Sequence, residues 1–287
     1  MEDTPIQYME RTRRYYRALG YEQDYRWAHH EDVPFAQLSK PISESRVTLI
    51  TTANQPGPWS KEKPPKRQTW SNEIATAPQS LYTQDLAWDK DTTHMRDRES
   101  YLPITALTRL VERRLLGGLT KYFHGVSTEY SHRLTIENNA PEILRRVVAE
   151  HADVVILVPI LPVCHQTVSL VSRHLEENGI PTIIIGSARD IIEHCGVARF
   201  LFTDFPLGNP CGPPFQPELQ AGIIEQAIGI LETADSARTT IAAAVKWPND
   251  QNWRDRYNRV QPGDRARLLA EGNAQRKWRA TLKQTHR

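Results

Sequence analysis

Cysteine is scarce: the 287-residue chain has three, at positions 164, 195 and 211, with no C-x-x-C pair. That excludes a disulfide framework, a local zinc knuckle and a thioredoxin-type dithiol. No run approaches the ~18 consecutive apolar residues of a membrane span. The opening residues, MEDTPIQYMERTRRYYRAL, lack the apolar centre of a secretory leader. The reading is a soluble, cytoplasmic protein with no membrane partner. Net charge is also small, +2. The eleven Lys and Arg against four Asp and Glu from Lys246 onward come with no nucleic-acid module, so they read as a solvated tail rather than a nucleic-acid arm. No G-x-G-x-x-G or Walker A follows any strand, and there is no G-x-S-x-G elbow. This argues against a standard NAD or ATP site, and no cofactor or bound metal is expected.

What is present is an alternation of short apolar runs with amphipathic stretches. RVTLITTA (46–53), DVVILVPI (153–160), IPTIIIG (180–186) and ARFLFTDF (198–205) have strand length and β-branched content. LPITALTRLVERRLLGG (102–118), PEILRRVVAEH (141–151), VCHQTVSLVSRHLEENG (163–179), ARDIIEHCG and Glu218 to Glu232 read as helices. FHGVSTEYS (123–131) holds a further short strand. The pattern predicts an α/β fold: a Rossmann-like, three-layer domain with a mainly parallel sheet. Residues 46–245 make that domain, with a loop-rich insertion over 54–101. Residues 1–45 form an irregular N-terminal extension, and residues 246–287 a charged, helical C-terminal tail. The insertion from Asn54 to Gln79 is rich in Pro, Lys and Ser and is expected to be mobile or to act as a lid. The aromatic N-terminal segment and the Trp-bearing tail carry large apolar side chains without periodicity, which predicts a homo-oligomer, most simply a dimer.

In open parallel sheets ligands bind beyond the carboxyl ends of the strands. Thr51, Thr52, the 159–164 segment, 186–189 and 204–208 should therefore meet at one rim. Cys164 follows a strand and opens a helix, where unpaired N–H groups and the helix dipole favour thiolate over thiol. It is read as a nucleophile, against the alternative of a small buried apolar residue. His165 is paired with it as a source of charge or a proton. Thr51, Thr52, His94, Asp97, Asp204 and Asn209 are the candidate substrate-binding residues. Asp89, His94 and Asp97 place a histidine between carboxylates, as a general base would need, or as a polar surface loop would. Asp204 and Asn209 could orient a substrate or simply build a turn.

The stretch from ADVVILVPILPVCHQ to FPLGNPCGPP, with its E-x-x-G-I-P-T and F-P-L-G-x-P-x-G-P-P motifs, resembles the component B (selenoprotein B-like) subunits of the glycine, sarcosine, betaine and D-proline reductases. The VTLITTA strand and D-x-x-x-Y-L-P-I segment fit the same pattern, so the resemblance covers roughly residues 46–232. It implies a selenocysteine or cysteine that attacks a carbon–heteroatom bond of an activated substrate, giving a seleno- or thioether and a released amine. In that family a selenocysteine–cysteine pair is separated by two residues. Aligned without a gap, Cys164 takes the second position and Leu161 the first, so the pair is absent. Electrons would then come from partner reductase subunits or an external thiol donor.

The leading expectation is a reductase-like subunit in which the Cys164 thiolate cleaves a C–N or C–S bond of a small substrate. Two alternatives stand beside it: a non-catalytic accessory subunit that binds a small anion at the rim, and a metal-dependent lyase using His94, His165 or Cys164.

Overall fold

The computed structural model describes residues 4–60, 66–83, 91–248, 252–257 and 259–285. The first element, α1 (Tyr8–Ala18), precedes a long extended stretch and β1 (Arg46–Thr51). β2 (Thr69–Glu73), α2 (Ile104–Glu112), β3 (Gly118–Leu119) and β4 (Tyr122–Val126) follow. A short turn of helix, α3 (His132–Leu134), runs through one π-turn into α4 (Ala140–Ala149). Then come β5 (Val154–Val158), α5 (Pro162–Glu177), β6 (Thr182–Gly186), α6 (Arg189–Cys195) and β7 (Arg199–Phe202). α7 (Pro217–Thr233), β8 (Thr239–Ala242), α8 (Trp253–Arg256) and α9 (Arg265–Thr285) complete the order.

The strands lie in the order β2-β4-β1-β5-β6-β7-β8, with β3 also pairing β1. Every pairing is parallel except β2 with β4. β5 and β6 are buried at every position, as continuous apolar runs in a sheet covered on both faces should be. One layer sets Leu107, Leu110, Ile223, Ile224 and Leu231 against Val47, Leu49, Ile156 and Ile185. The other sets Ile143, Val147, Val168, Val171 and Ile192 against Ile50, Val155, Leu157 and Phe200. The three-layer α/β architecture and the mainly parallel sheet agree with the sequence reading.

Three strands, β2, β3 and β8, depart from it. Thr69–Glu73, inside the stretch expected to be loop, is the antiparallel edge strand; Trp70 packs edge-to-face on Phe123 at 5.5 Å between ring centres. That single buried aromatic anchors a segment whose Pro and Lys content argues for a loop. Residues 61–65 of the expected lid lie outside the described residues. β8, four residues long, was too short to signal itself. Four of the aromatics in the segments invoked for a homo-oligomer are buried within the chain itself: Tyr8, Trp247, Trp253 and Tyr257 are at most 2% exposed. Tyr8 meets Tyr257 edge-to-face, and Trp253 meets Tyr257 likewise.

The N-terminal stretch lies along the helical layer rather than apart from it. The Ala28 N–H donates to Gln166 Oε1 at 2.7 Å, and the Ala36 N–H to Glu176 Oε2 at 2.6 Å. Glu176 also accepts from Thr182 and from the Arg199 guanidinium, whose other nitrogen donates to Ala36 O. No helix among the described residues is long and apolar enough to cross a membrane.

Candidate active-site rim

β1 and β5 end side by side, with Thr51 paired to Val158. Thr52 Oγ1 accepts from the Ile160 N–H at 3.0 Å and holds the segment leaving β5 against the end of β1. Leu161, extended, then starts α5 without a side-chain cap; Pro162 occupies its first turn. A proline there loses nothing, since its N–H would be unpaired anyway. Cys164 is consequently the third helical residue, in the turn whose free N–H groups favour an anion. Its Sγ lies 2.7 Å from Oγ1 of Thr128, which follows β4 by two residues. Cys164 has no exposed surface.

The loop carrying Thr128 is pinned to α5. The Glu129 N–H donates to Thr167 Oγ1. Tyr130 shares a hydroxyl contact with Tyr16 at 2.9 Å, and its carbonyl accepts from the Tyr25 hydroxyl. The start of β2 arrives at the same place, because β2 runs antiparallel to β4. Ser127 and Gln68 exchange hydrogen bonds, and the Arg67 guanidinium stands 5.7 Å from the Tyr130 ring centre. Thr128, Tyr130 and Arg67 are rim residues that the sequence reading missed. The signal was available for Thr128, which sits two positions past a strand end.

His165 is placed differently from its partner. Its side chain is fully buried. Nε2 accepts from the Ser187 and Ala188 N–H groups at 3.0 and 3.1 Å, so Nδ1 carries the proton and donates to Leu161 O at 2.7 Å. Burial pushes its pKa down to about 4, against the opposing pull of the Leu161 carbonyl. Both nitrogens are engaged in tying α5 to the turn after β6. A Cβ on Gly186 would lie 3.0 Å from the imidazole, so glycine is what lets the ring approach.

The remaining candidates separate into smaller groups. Thr51 Oγ1 donates to Tyr101 O and accepts from the Ala53 N–H. His94, Asp97 and Asn209 do come together. Asn209 donates to His94 O at 3.0 Å, while Asp97 accepts from Glu99, Phe215 and Gln220. The Gly208 N–H donates to Ile160 O and joins this group to the end of β5. Burial lowers the His94 pKa, with Arg96 adding to the effect. Asp89 lies outside the described residues. Asp204 is turned to the C-terminal segment, where Arg254 donates to its carboxylate at 2.7 and 2.9 Å.

The other thiols are held in their neutral form. Burial pushes Cys195 up to about 12, Arg173 opposing, and Cys211 upward as well, with Glu99 adding to the effect. Among the described residues no three His, Cys, Asp or Glu side chains are placed to share a metal ion. A cavity of about 230 Å³ is lined by Arg11, Arg14, Arg259 and Val260, none of them a candidate site residue.

No protein-family model matches the chain. No solved structure matches it either. Among curated proteins, the D-proline reductase subunit gamma of Acetoanaerobium sticklandii is similar, with 35% identity over 101 residues. Those residues are 35% of this chain and 42% of that relative, so the chain spans about two fifths of the relative it matches.

Proposed function

We propose that this chain is a reductase-type subunit in which Cys164 attacks a carbon–heteroatom bond of a small substrate. The observation that carries the reading is the placement of Cys164 in the first turn of α5 with the Thr128 hydroxyl against its sulfur. As a donor, that hydroxyl would stabilise the thiolate together with the helix N-terminus. The likeness to a D-proline reductase subunit supports the same class and points to amino-acid C–N bonds.

The chemistry balances in two steps. The thiolate forms a C–S bond as the C–N bond of an activated substrate breaks, and the amine leaves with the electron pair and takes a proton. A second thiol, from a partner subunit or an external donor, then attacks the sulfur. The carbon takes the C–S electrons and a proton, and the two sulfurs close a disulfide. With Leu161 at the other position of the expected pair, that second thiol comes from outside the helix turn. Access requires the Thr128–Tyr130 loop to lift. His165 acts in this reading as a positioning residue for α5.

The experiment is mass spectrometry of the full chain after incubation with D-proline, sarcosine, glycine or betaine and a dithiol, with partner subunits added in parallel. An adduct on Cys164 supports the reading. If no adduct forms with any substrate and a Cys164→Ser chain supports partner turnover equally well, the accessory-subunit reading replaces it. The complete burial of Cys164 is the observation that favours that second reading.

A further inference from the structure

The outer edge of the sheet holds a polar group that the Cys164 rim does not use. Ser71 on β2 and His124 on β4 are direct partners across the antiparallel ladder, so their side chains leave the same face. That face is closed by Arg146 of α4 and by Glu150, which follows it. Ser71 is exposed, whereas His124 is 2% exposed.

Ser71 Oγ lies 2.8 Å from His124 Nδ1, and Arg146 Nη1 donates to the same Oγ at 2.8 Å. Arg146 takes one acceptor position on the serine, and the Glu150 carboxylate facing the far side of the ring favours the tautomer with the proton on Nε2 and a bare Nδ1 toward Ser71. Nε2 is buried without a hydrogen-bond partner. Facing it at 3.9 Å is Oε2 of Glu150, also buried and without a partner. Thr120 and Tyr122 hold the Glu150 carboxylate by hydrogen bonds, while its buried Oε2 and the buried His124 Nε2 are left unpaired, at a cost in stability. With Nε2–H turned toward this carboxylate, a proton taken up at Nδ1 during a reaction would place the ring's charge 3.9 Å from Glu150 Oε2. Burial and the nearby Arg146 keep His124 neutral at rest, with its pKa pushed down to about 4 and Glu142 opposing, so the free base faces the serine.

We propose that Ser71 is the nucleophile of a separate acyl-transfer site, with His124 as general base, Glu150 as positioning carboxylate and Arg146 as the cation beside the developing oxyanion. The substrate class is a small activated carboxylic ester that reaches the sheet edge from solvent. Oγ bonds to the acyl carbon as its proton passes to His124 Nδ1. The bond from that carbon to the alcohol oxygen breaks, and the leaving alcohol takes the proton. Water repeats the sequence on the acyl-serine, releasing the carboxylic acid and restoring Ser71. Such constellations are identified by roles and geometry rather than by a sequence motif, so the missing G-x-S-x-G does not bear on it.

The test uses the full chain carrying Cys164→Ser, so that no thiol at the rim can be acylated and the outcome is independent of the reductase reading. p-Nitrophenyl acetate is the probe. Quenched digests should carry an acetyl group on Ser71, with p-nitrophenolate released above the buffer rate. Ser71→Ala, a change at an exposed position, should remove both. Glu150→Gln should lower kcat by about a hundredfold with KM unchanged. Absence of acetyl-Ser71, or ester cleavage that survives Ser71→Ala, overturns the proposal. A Glu150→Gln chain that melts earlier but keeps its kcat overturns the role given to Glu150.

Discussion

Thr128 Oγ1 and Cys164 Sγ lie 2.7 Å apart, although 36 residues separate them in the chain. The contact joins the loop after β4 to the first turn of α5, and it is where the proposed thiol chemistry is most easily perturbed. Replacing Thr128 by Val keeps the shape and removes the hydroxyl. Alkylation of Cys164 by iodoacetamide at neutral pH should slow about fivefold, the equivalent of ~1 kcal/mol for one hydrogen bond. Peptide mass spectrometry reads it, with Cys195 and Cys211 as internal references. Both are buried thiols raised in pKa, and both should react more slowly than Cys164 in the parent chain. Equal rates for all three would remove the nucleophile reading.

Stability should fall on mild acidification. His124 and His165 are both lowered from 6.5 to about 4 by burial. A histidine depressed in the folded state binds its proton more readily when unfolded. Its contribution is therefore complete above the unfolded pKa of ~6.5 and is lost as pH falls from there to about 4. Two such groups contribute roughly 3 kcal/mol each at neutral pH. Denaturant titrations at pH 7 and pH 4.5 should differ by several kcal/mol, and His165→Asn should flatten the pH dependence. An unchanged slope in that variant would show that the imidazole is not the titrating group.

The Glu176–Arg199 pair, 0% and 1% exposed at the side chains, should behave as a buried ion pair. Removing one partner strands the other, at a cost of about 3–5 kcal/mol. Arg199→Met should lower the melting temperature by that route. It should also loosen the Asp32–Ala36 stretch, since Arg199 donates to Ala36 O. Limited proteolysis would show new cleavage there; unchanged protection would mean that other contacts hold the stretch.

Asp97 accepts from Glu99, Phe215 and Gln220 and so joins the segment before α2 to the loop before α7. Asp97→Ala should cost about 2–4 kcal/mol by leaving buried donors unpaired. If Asp97 instead contacts substrate, the same variant would raise KM while its melting temperature held.

The layered fold was legible because its signal is local. The buried runs of β5 and β6, and the helices with apolar spacing, declare themselves over five to sixteen residues. β2 did not, because its place depends on one tryptophan meeting Phe123 some fifty residues later. Of the proposed site, Cys164 could be located because a strand end and a helix start are local features too. Thr128 and Arg67 come from other parts of the chain, and only the order β2-β4-β1-β5 brings them to the same edge. The role expected of His165 could not be settled from its neighbour in sequence. One residue along a helix turns the side chain by about 100°, and that turn carries it to the backbone amides of Ser187 and Ala188.

Arg11 donates to the carbonyls of Tyr257 and Arg254, partners 246 and 243 positions further along the chain. During synthesis at ~5–20 residues per second, that guanidinium would wait on the order of 12–50 s before its acceptors exist. Tyr8, which packs against Tyr257, waits with it. Over that interval the apolar side chains of the α1 segment lack these partners, so ribosome-bound chains stalled before residue 254 should expose a surface that the finished protein hides. A nascent-chain holdase would find its target there, and the need for it would end once α8 emerges.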